Sequence, residues 1–177
     1  MRRAVFLDRD GVINRSLVRD GKPYAPTHIS EFELLPGVSA ALSRLRQHGF
    51  LNIVVTNQPD VATGKQRRED IDALHDQLKT ELAIDAFKVC CHVDADNCTC
   101  RKPKPGLLLE AAREFNIDLG ASFMVGDRWR DVAAGQHAGC KTCFFIDYGY
   151  AEKRPEQPFI VVKSLAKSVG LILASND

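Results

Sequence analysis

The sequence lacks net charge: 24 lysines and arginines face 23 aspartates and glutamates, a formal balance of +1 over 177 residues. No global field draws the chain to nucleic acid or to an anionic membrane, so an anionic ligand must be captured by a local cluster. Long apolar runs are missing as well. The residues between Arg3 and Asp8 are too few for a signal segment, and nothing is long enough to span a bilayer, which places the expected location in the cytoplasm. Repeats and low-complexity linkers are also absent, and 45% hydrophobic with 27% charged residues is the balance of one globular domain over 1–177. A chain of this size buries roughly 70% of its unfolded surface, so its six cysteines are not needed as staples. In a reducing compartment, cysteines bunched at 90, 91, 98 and 100 point to metal rather than to disulfides. No heptad or domain-swap signal argues for more than a monomer.

What is present is alternation. Ala4-Val5-Phe6-Leu7 reads as a buried strand ending at Asp8-Arg9-Asp10-Gly11. Residues 36–49 carry start and stop signals around helically spaced Val38, Ala41, Leu42 and Leu45, and 50–55 is a second strand ending at Thr56-Asn57-Gln58. A helix over 66–83, a strand over 86–90 and a helix opened by Pro105 follow. Strand 122–125 then runs into Gly126-Asp127-Arg128, and helix 128–138, strand 140–146 and helix 163–173 close the chain. The pattern predicts a three-layer, Rossmann-like, doubly wound α/β fold with a mostly parallel sheet. Its polar loops at 8–14, 56–65 and 126–131 all follow strands, so right-handed crossovers bring them to one edge.

Those loops carry a coherent chemistry. Two aspartates at i and i+2 beyond a buried strand can face one ligand, one attacking and the other moving protons. Asp127 adds a third carboxylate, which makes an oxygen pocket suited to Mg2+. Thr56 and Asn57 offer neutral hydrogen bonds to phosphate oxygens, and Lys102 offers a point charge. Cys90, His92, Cys98 and Cys100 give a CxH and a CxC separated by five residues, a ligand set that tetrahedral Zn2+ prefers, with no open position and therefore structural. Strand alternation puts Cys91 on the opposite face.

Asp8-Arg9-Asp10-Gly11-Val12-Ile13-Asn14, Val55-Thr56-Asn57-Gln58, Lys102 in Arg101-Lys102-Pro103 and Gly126-Asp127-Arg128-Trp129-Arg130-Asp131 together resemble the four ordered motifs of the haloacid dehalogenase superfamily of phosphatases. The resemblance implies that Asp8 is the nucleophile and Asp10 the general acid and base, and that Thr56 and Lys102 bind the transferring phosphoryl group. It further implies that Asp8, the carbonyl of Asp10, and Asp127 hold Mg2+, with Asp131 supporting the loop. The Cys/His pattern running into Arg101-Lys102-Pro103 is similar to the branch whose members act on heptose bisphosphates and histidinol phosphate and lack a large cap domain. Removal of the C7 phosphate of D-glycero-D-manno-heptose 1,7-bisphosphate is the leading expectation, with histidinol phosphate or another small sugar phosphate as alternatives. Pro59, Asp60 and Thr63 depart from the heptose enzymes' TNQSGIARG pattern, and the lost arginine weakens recognition of a second phosphate unless Lys65, Arg67, Arg101 or Arg128 compensates. A non-catalytic zinc-containing adaptor and a phosphotransferase remain as rivals.

Other residues carry quieter readings. Cys140 and Cys143 read as packing residues of a strand. His28, His48, His75 and His137 are expected at the surface or at caps, and Trp129 in packing or in a loop. Segment 15–35 is long for a connection and is expected over the site, with Lys22 and Tyr24 as candidate substrate contacts. Residues 147–158 are expected to form an ordered surface loop.

Overall fold

A computed structural model describes residues 1–175. Six parallel strands form one sheet: β1 (Arg3–Leu7), β4 (Phe50–Asn57), β5 (Ala86–Cys90), β6 (Phe123–Gly126), β7 (Thr142–Ile146) and β8 (Ile160–Val162). Their order across the sheet is β5-β4-β1-β6-β7-β8. A two-stranded antiparallel hairpin, β2 (Leu17–Arg19) with β3 (Lys22–Tyr24), follows β1. The helices are α1 (Val38–Gln47), α2 (Arg68–Glu81), α3 (Gly106–Phe115), α4 (Trp129–Ala138) and α5 (Leu165–Ala174).

Burial on both faces explains the unbroken apolar strands. In β1, Val5 and Leu7 pack with Val38, Leu42 and Leu45 of α1 and Val169 and Ile172 of α5. Ala4 and Phe6 turn the other way, toward Leu107, Leu108 and Ala111 of α3 and Val132 and Ala134 of α4. These are the three layers that the periodicity predicts. The first half of the chain builds outward from β1 on one side and the second half on the other, so the order reverses at β1. That reversal is where ligands collect in open α/β sheets, and the Asp8 loop leaves β1 at this point.

Three elements differ from expectation. The β2–β3 hairpin turns at Asp20-Gly21, both with positive φ, the dipeptide and geometry of a tight hairpin turn. β8 is a short strand after Pro158, and β7 begins at Thr142, leaving Cys140 just outside it. Cys143 is buried and Cys140 packs against the same core, and both thiols are free. The Cys100–Gly106 stretch is compressed enough that a Cβ on Gly106 would come within 2.3 Å of the Thr99 carbonyl oxygen, so α3 must start on glycine there.

Candidate active site

The loops after β1, β4 and β6 converge as the topology requires. Carboxylate oxygens of Asp8, Asp127 and Asp131 all lie within 4.8 Å of one another, and all three residues are buried. Lys102 faces them: its Nζ sits 2.9 Å from Asp8 Oδ1, donates to Asp131 Oδ1 at 2.6 Å, and donates to the Val55 carbonyl at 2.7 Å. Burial works against the lysine's charge, yet the carboxylates of Asp131 and Asp8 raise its pKa above the ordinary value. Burial, reinforced by the charge of Asp131 and opposed by that of Lys102, pushes Asp8 up to about 7. Asp127 is likewise raised, by burial and then by Asp8 and Asp131.

Local geometry makes this crowding possible. Gly11, at φ +87°, leaves so little room that an added Cβ would lie 1.9 Å from Asp127 Oδ2. At Gly126 the same atom would lie 2.1 Å from the Asp131 Cβ, so only glycine lets the two loops close. Asp131 Oδ2 accepts the N–H groups of Asp127 at 3.1 Å and Arg128 at 2.9 Å, capping α4. Both of its oxygens are thus engaged by the loop and by Lys102.

Asp10 stands in a different setting. Its Oδ1 accepts from Arg9 Nη2 at 3.0 Å and Asn14 Nδ2 at 2.9 Å, and its Oδ2 from Gln58 Nε2 at 2.9 Å. Burial alone would raise its pKa, but Arg9's charge and the Asn14 and Gln58 bonds hold it below the usual carboxylate range. Gln58 Nε2 also donates to the hydroxyl of the fully buried Thr56 at 2.9 Å. Asn57 clasps the Lys102 backbone, its Nδ2 donating to the carbonyl and its Oδ1 accepting the N–H, both at 3.1 Å.

A cavity of about 280 Å3 opens above Asp8 and Asp10. Asn57, Arg101, Lys102 and Arg128 line it, as do Lys22 and Tyr24 of the hairpin and Lys65 and Arg130. Segment 15–35 therefore does cover the site, through β3. The arginines at the mouth are already tethered. Arg101 and Arg130 share Asp94, at 2.8 and 3.1 Å, and Arg128 pairs with Glu152. Thr56 and Asp127 are buried and do not line the cavity.

Next to the site, Sγ of Cys90, Cys98 and Cys100 and Nδ1 of His92 also fall within 4.8 Å of one another. The sulfurs are 3.2 to 3.7 Å apart, and Nδ1 is 3.4 Å from Cys90 and 3.3 Å from Cys100. Cys91 points away and accepts from Arg68. Asp94, between the two halves of this cluster, is the residue that holds Arg101 and Arg130.

One expectation needs correction, and another is met and extended. His75 is not at the surface: it is 4% exposed, stacked on Phe87 with ring centroids 4.0 Å apart. The helical pattern of 66–83 contained the signal, since His75 falls one turn from both Ile71 and Leu78. His28, His48 and His137 are exposed at element ends. Segment 147–158 is the ordered surface loop expected, and it also reaches the site, where Tyr150 donates to Asp127 Oδ2 at 2.8 Å and Tyr148 to the Gly11 carbonyl at 2.9 Å. Trp129 lies against Lys153 and Arg130, away from the cavity. Sequence reasoning also missed Arg9, Asn14 and Gln58, whose role around Asp10 depends on contacts that spacing does not encode.

The D-glycero-beta-D-manno-heptose-1,7-bisphosphate 7-phosphatase of Pasteurella multocida (strain Pm70) is 35% identical over 97% of both chains. The chain belongs to the haloacid dehalogenase superfamily of phosphatases. Residues 99–168 match the family model described as HAD-hydrolase-like. A D-glycero-alpha-D-manno-heptose-1,7-bisphosphate 7-phosphatase of Mycobacterium tuberculosis (strain ATCC 25618 / H37Rv) is 38% identical, covering 83% of this phosphatase and 80% of the relative. Among solved structures, the D,D-heptose 1.7-bisphosphate phosphatase from B. bronchiseptica complexed with magnesium and phosphate superposes with a TM-score of 0.84. It shares 30% identity and covers 98% of this chain and 99% of its own. As expected, this phosphatase has no large cap: the short β2–β3 hairpin stands over the cavity instead. Among the described residues no helix is long and apolar enough to cross a membrane.

Proposed function

We propose that this phosphatase removes the C7 phosphate of D-glycero-D-manno-heptose 1,7-bisphosphate by Mg2+-dependent hydrolysis through an aspartyl phosphate. The observation that carries the reading is the buried trio Asp8, Asp127 and Asp131 facing Lys102 at the foot of a cavity whose mouth is lined with cations. Three carboxylates against one ammonium leave a negative excess, and Asp127 Oδ1 is buried without a hydrogen-bond partner. An all-oxygen donor set with that excess fits Mg2+. Asp8, the carbonyl of Asp10, and Asp127 would hold it, and when bound it would screen the repulsion between carboxylate and phosphate.

The chain's own residues account for the steps. The Arg9 N–H, at 2.8 Å, and Lys102 hold Asp8 Oδ1, which leaves Oδ2 to attack phosphorus. The phosphorus–oxygen bond to the sugar breaks as the departing alkoxide takes a proton from Asp10. Asp10 must first bind that proton as the doubly anionic substrate approaches, because Arg9, Asn14 and Gln58 hold its pKa low without ligand. Asp10 then takes a proton from the water that attacks the aspartyl phosphate, and inorganic phosphate leaves with Asp8 restored. Lys102 serves the phosphoryl oxygens from the cavity wall and Thr56 would do so from the buried layer beneath it, while Asn57 fixes the Lys102 backbone and Arg101 and Arg128 meet the rest of a doubly anionic substrate.

Cys90, His92, Cys98 and Cys100 would hold structural Zn2+. Their sulfur separations approach the roughly 3.8 Å edge of a tetrahedron with Zn–S near 2.3 Å. Through Asp94, that loop sets the two arginines of the cavity mouth. The complete set of Asp8, Asp10, Thr56, Lys102 and Asp127 speaks against a non-catalytic adaptor.

The two relatives are named for opposite anomers, so the test is phosphate release with Mg2+ from both anomers of heptose 1,7-bisphosphate, histidinol phosphate and sugar monophosphates. A kcat/KM at least about tenfold higher for one heptose bisphosphate anomer is expected. Preference for histidinol phosphate, or no release from any member, overturns the substrate assignment. Release that requires an added alcohol acceptor would instead make the chain a phosphotransferase.

A further inference from the structure

Arg9 is a fully buried arginine whose side chain has no role in the chemistry above. Its guanidinium is divided between two partners. Nε and Nη2 reach Asp10 Oδ1 at 3.3 and 3.0 Å, and Nη2 also reaches Oδ2 at 3.3 Å. Nη1 lies 3.2 Å from His75 Nε2. The backbone of Arg9 is held as firmly as its side chain, its carbonyl accepting the N–H groups of Ile13 at 2.8 Å and Asn14 at 3.2 Å.

The contact with His75 has one chemical solution. A guanidinium has only N–H donors, so Nε2 must present its lone pair, the proton must sit on Nδ1, and the ring must be neutral. Geometry enforces this, because α2 buries the ring and Phe87 of β5 stacks on it at an interplanar angle of 9°. Burial and then Arg9's charge push His75 down to about 3, in agreement with the neutral form. His75 thus gives Nη1 a fixed acceptor inside the protein, and the rest of the fork is left to grip Asp10 from behind.

We propose that His75 and Arg9 are positioning residues that aim the Asp10 carboxylate at the leaving-group oxygen, a buried brace running from α2 to the proton-transfer site. The proposal rests on the reading of Asp10 as general acid and base. Buried polar groups that support a reacting carboxylate can matter through geometry alone, since misplacement of about 1 Å costs up to 100-fold.

The experiment separates proton transfer from everything else. His75→Phe retains a ring to stack on Phe87 and removes the acceptor, and His75→Gln replaces Nε2 with an amide oxygen. Each is assayed on the alkyl sugar phosphate and on p-nitrophenyl phosphate, whose phenolate leaves without a proton. For His75→Phe, kcat/KM on the alkyl ester is expected to fall about 10- to 100-fold, with kcat/KM on the aryl ester, which reports only the steps up to phenolate release, nearly unaffected. His75→Gln should recover most of the loss. Equal losses on both esters, no loss on either, or no recovery in His75→Gln overturns the proposal. Asp10→Asn is the control: if it turns over the alkyl ester at the wild-type rate, the acid and base reading fails rather than the brace. Should His75→Phe not fold, 15N NMR of the wild-type protein decides, because an Nε2-protonated ring would set two donors against each other and exclude the contact.

Discussion

Asp8 and Asp10 are two residues apart on one loop and live in opposite electrostatic worlds. Asp8 faces two other buried carboxylates and one lysine, and burial pushes it up to about 7. Asp10 faces an arginine and two amides, and is held below the ordinary carboxylate range despite its burial. A strand end sends i and i+2 to the same side, so the chain itself treats them alike. What separates them is the partner loops: the loop after β6 brings more negative charge to Asp8, whereas the loops after β1 and β4 bring donors to Asp10. One carboxylate is complete as it stands, and the other calls for a cation.

The sharpest way to break this comparison is to neutralise each member. Asp8→Asn should lower kcat by more than about 10,000-fold, as removal of a nucleophile does, with no phosphoenzyme formed. Asp10→Asn should cost roughly 100- to 10,000-fold and leave a phosphorylated Asp8 detectable by rapid quench and mass spectrometry. Equal residual rates with no phosphoenzyme in either variant would show that the two carboxylates do not divide the labour.

The opposite shifts also set opposite pH windows for stability. Asp8 has a folded pKa above its unfolded value of 3.8, so the folded state binds the extra proton. Metal-free stability from this site is therefore highest below that value and is lost as pH rises toward 7. Asp10 has a folded pKa below 3.8, and its contribution is present above that value and lost as pH falls through the folded one. On the proposed reading, Mg2+ would compete with the Asp8 proton. Its effect on Tm should accordingly be larger near pH 8 than near pH 5, by roughly 5 °C, read by calorimetry with and without the ion. An effect of equal size at both would remove Asp8 from the metal site.

The same contrast explains what was legible in the sequence. Charged residues at strand ends announce a site, because a buried strand has no other reason to end in Asp8-Arg9-Asp10 or Gly126-Asp127. The unbroken apolar runs of β1 and β4 and the apolar faces of α1 and α3 made the layers legible. Partners from afar were not legible. Arg9 reads as a solvated charge until α2 is seen to place His75 against it, and nothing in the spacing shows that Asn57, which lines the cavity, also clasps the Lys102 backbone. His75 itself was hidden by its polarity, although its helical position is apolar.

The smallest effect sharpens the comparison from the Asp127 side. Tyr150 comes from the loop between β7 and β8 and donates to Asp127 Oδ2, while Asp127 Oδ1 has no partner. One oxygen is thus fixed by the protein and the other left for a ligand. Tyr150→Phe should remove the fixed bond and keep the ring, which lies 5.5 Å from Tyr148. Losing one hydrogen bond to a charged group is worth about 1.5–3 kcal/mol at most, and part of that returns as Asp127 turns both oxygens to the cation. The expected outcome is a several-fold weaker Mg2+ affinity by titration calorimetry, with kcat at saturating Mg2+ close to wild type. If kcat falls and the affinity does not, Tyr150 acts on the substrate rather than on Asp127. The acidic pocket would then be organised by the β1 and β6 loops alone.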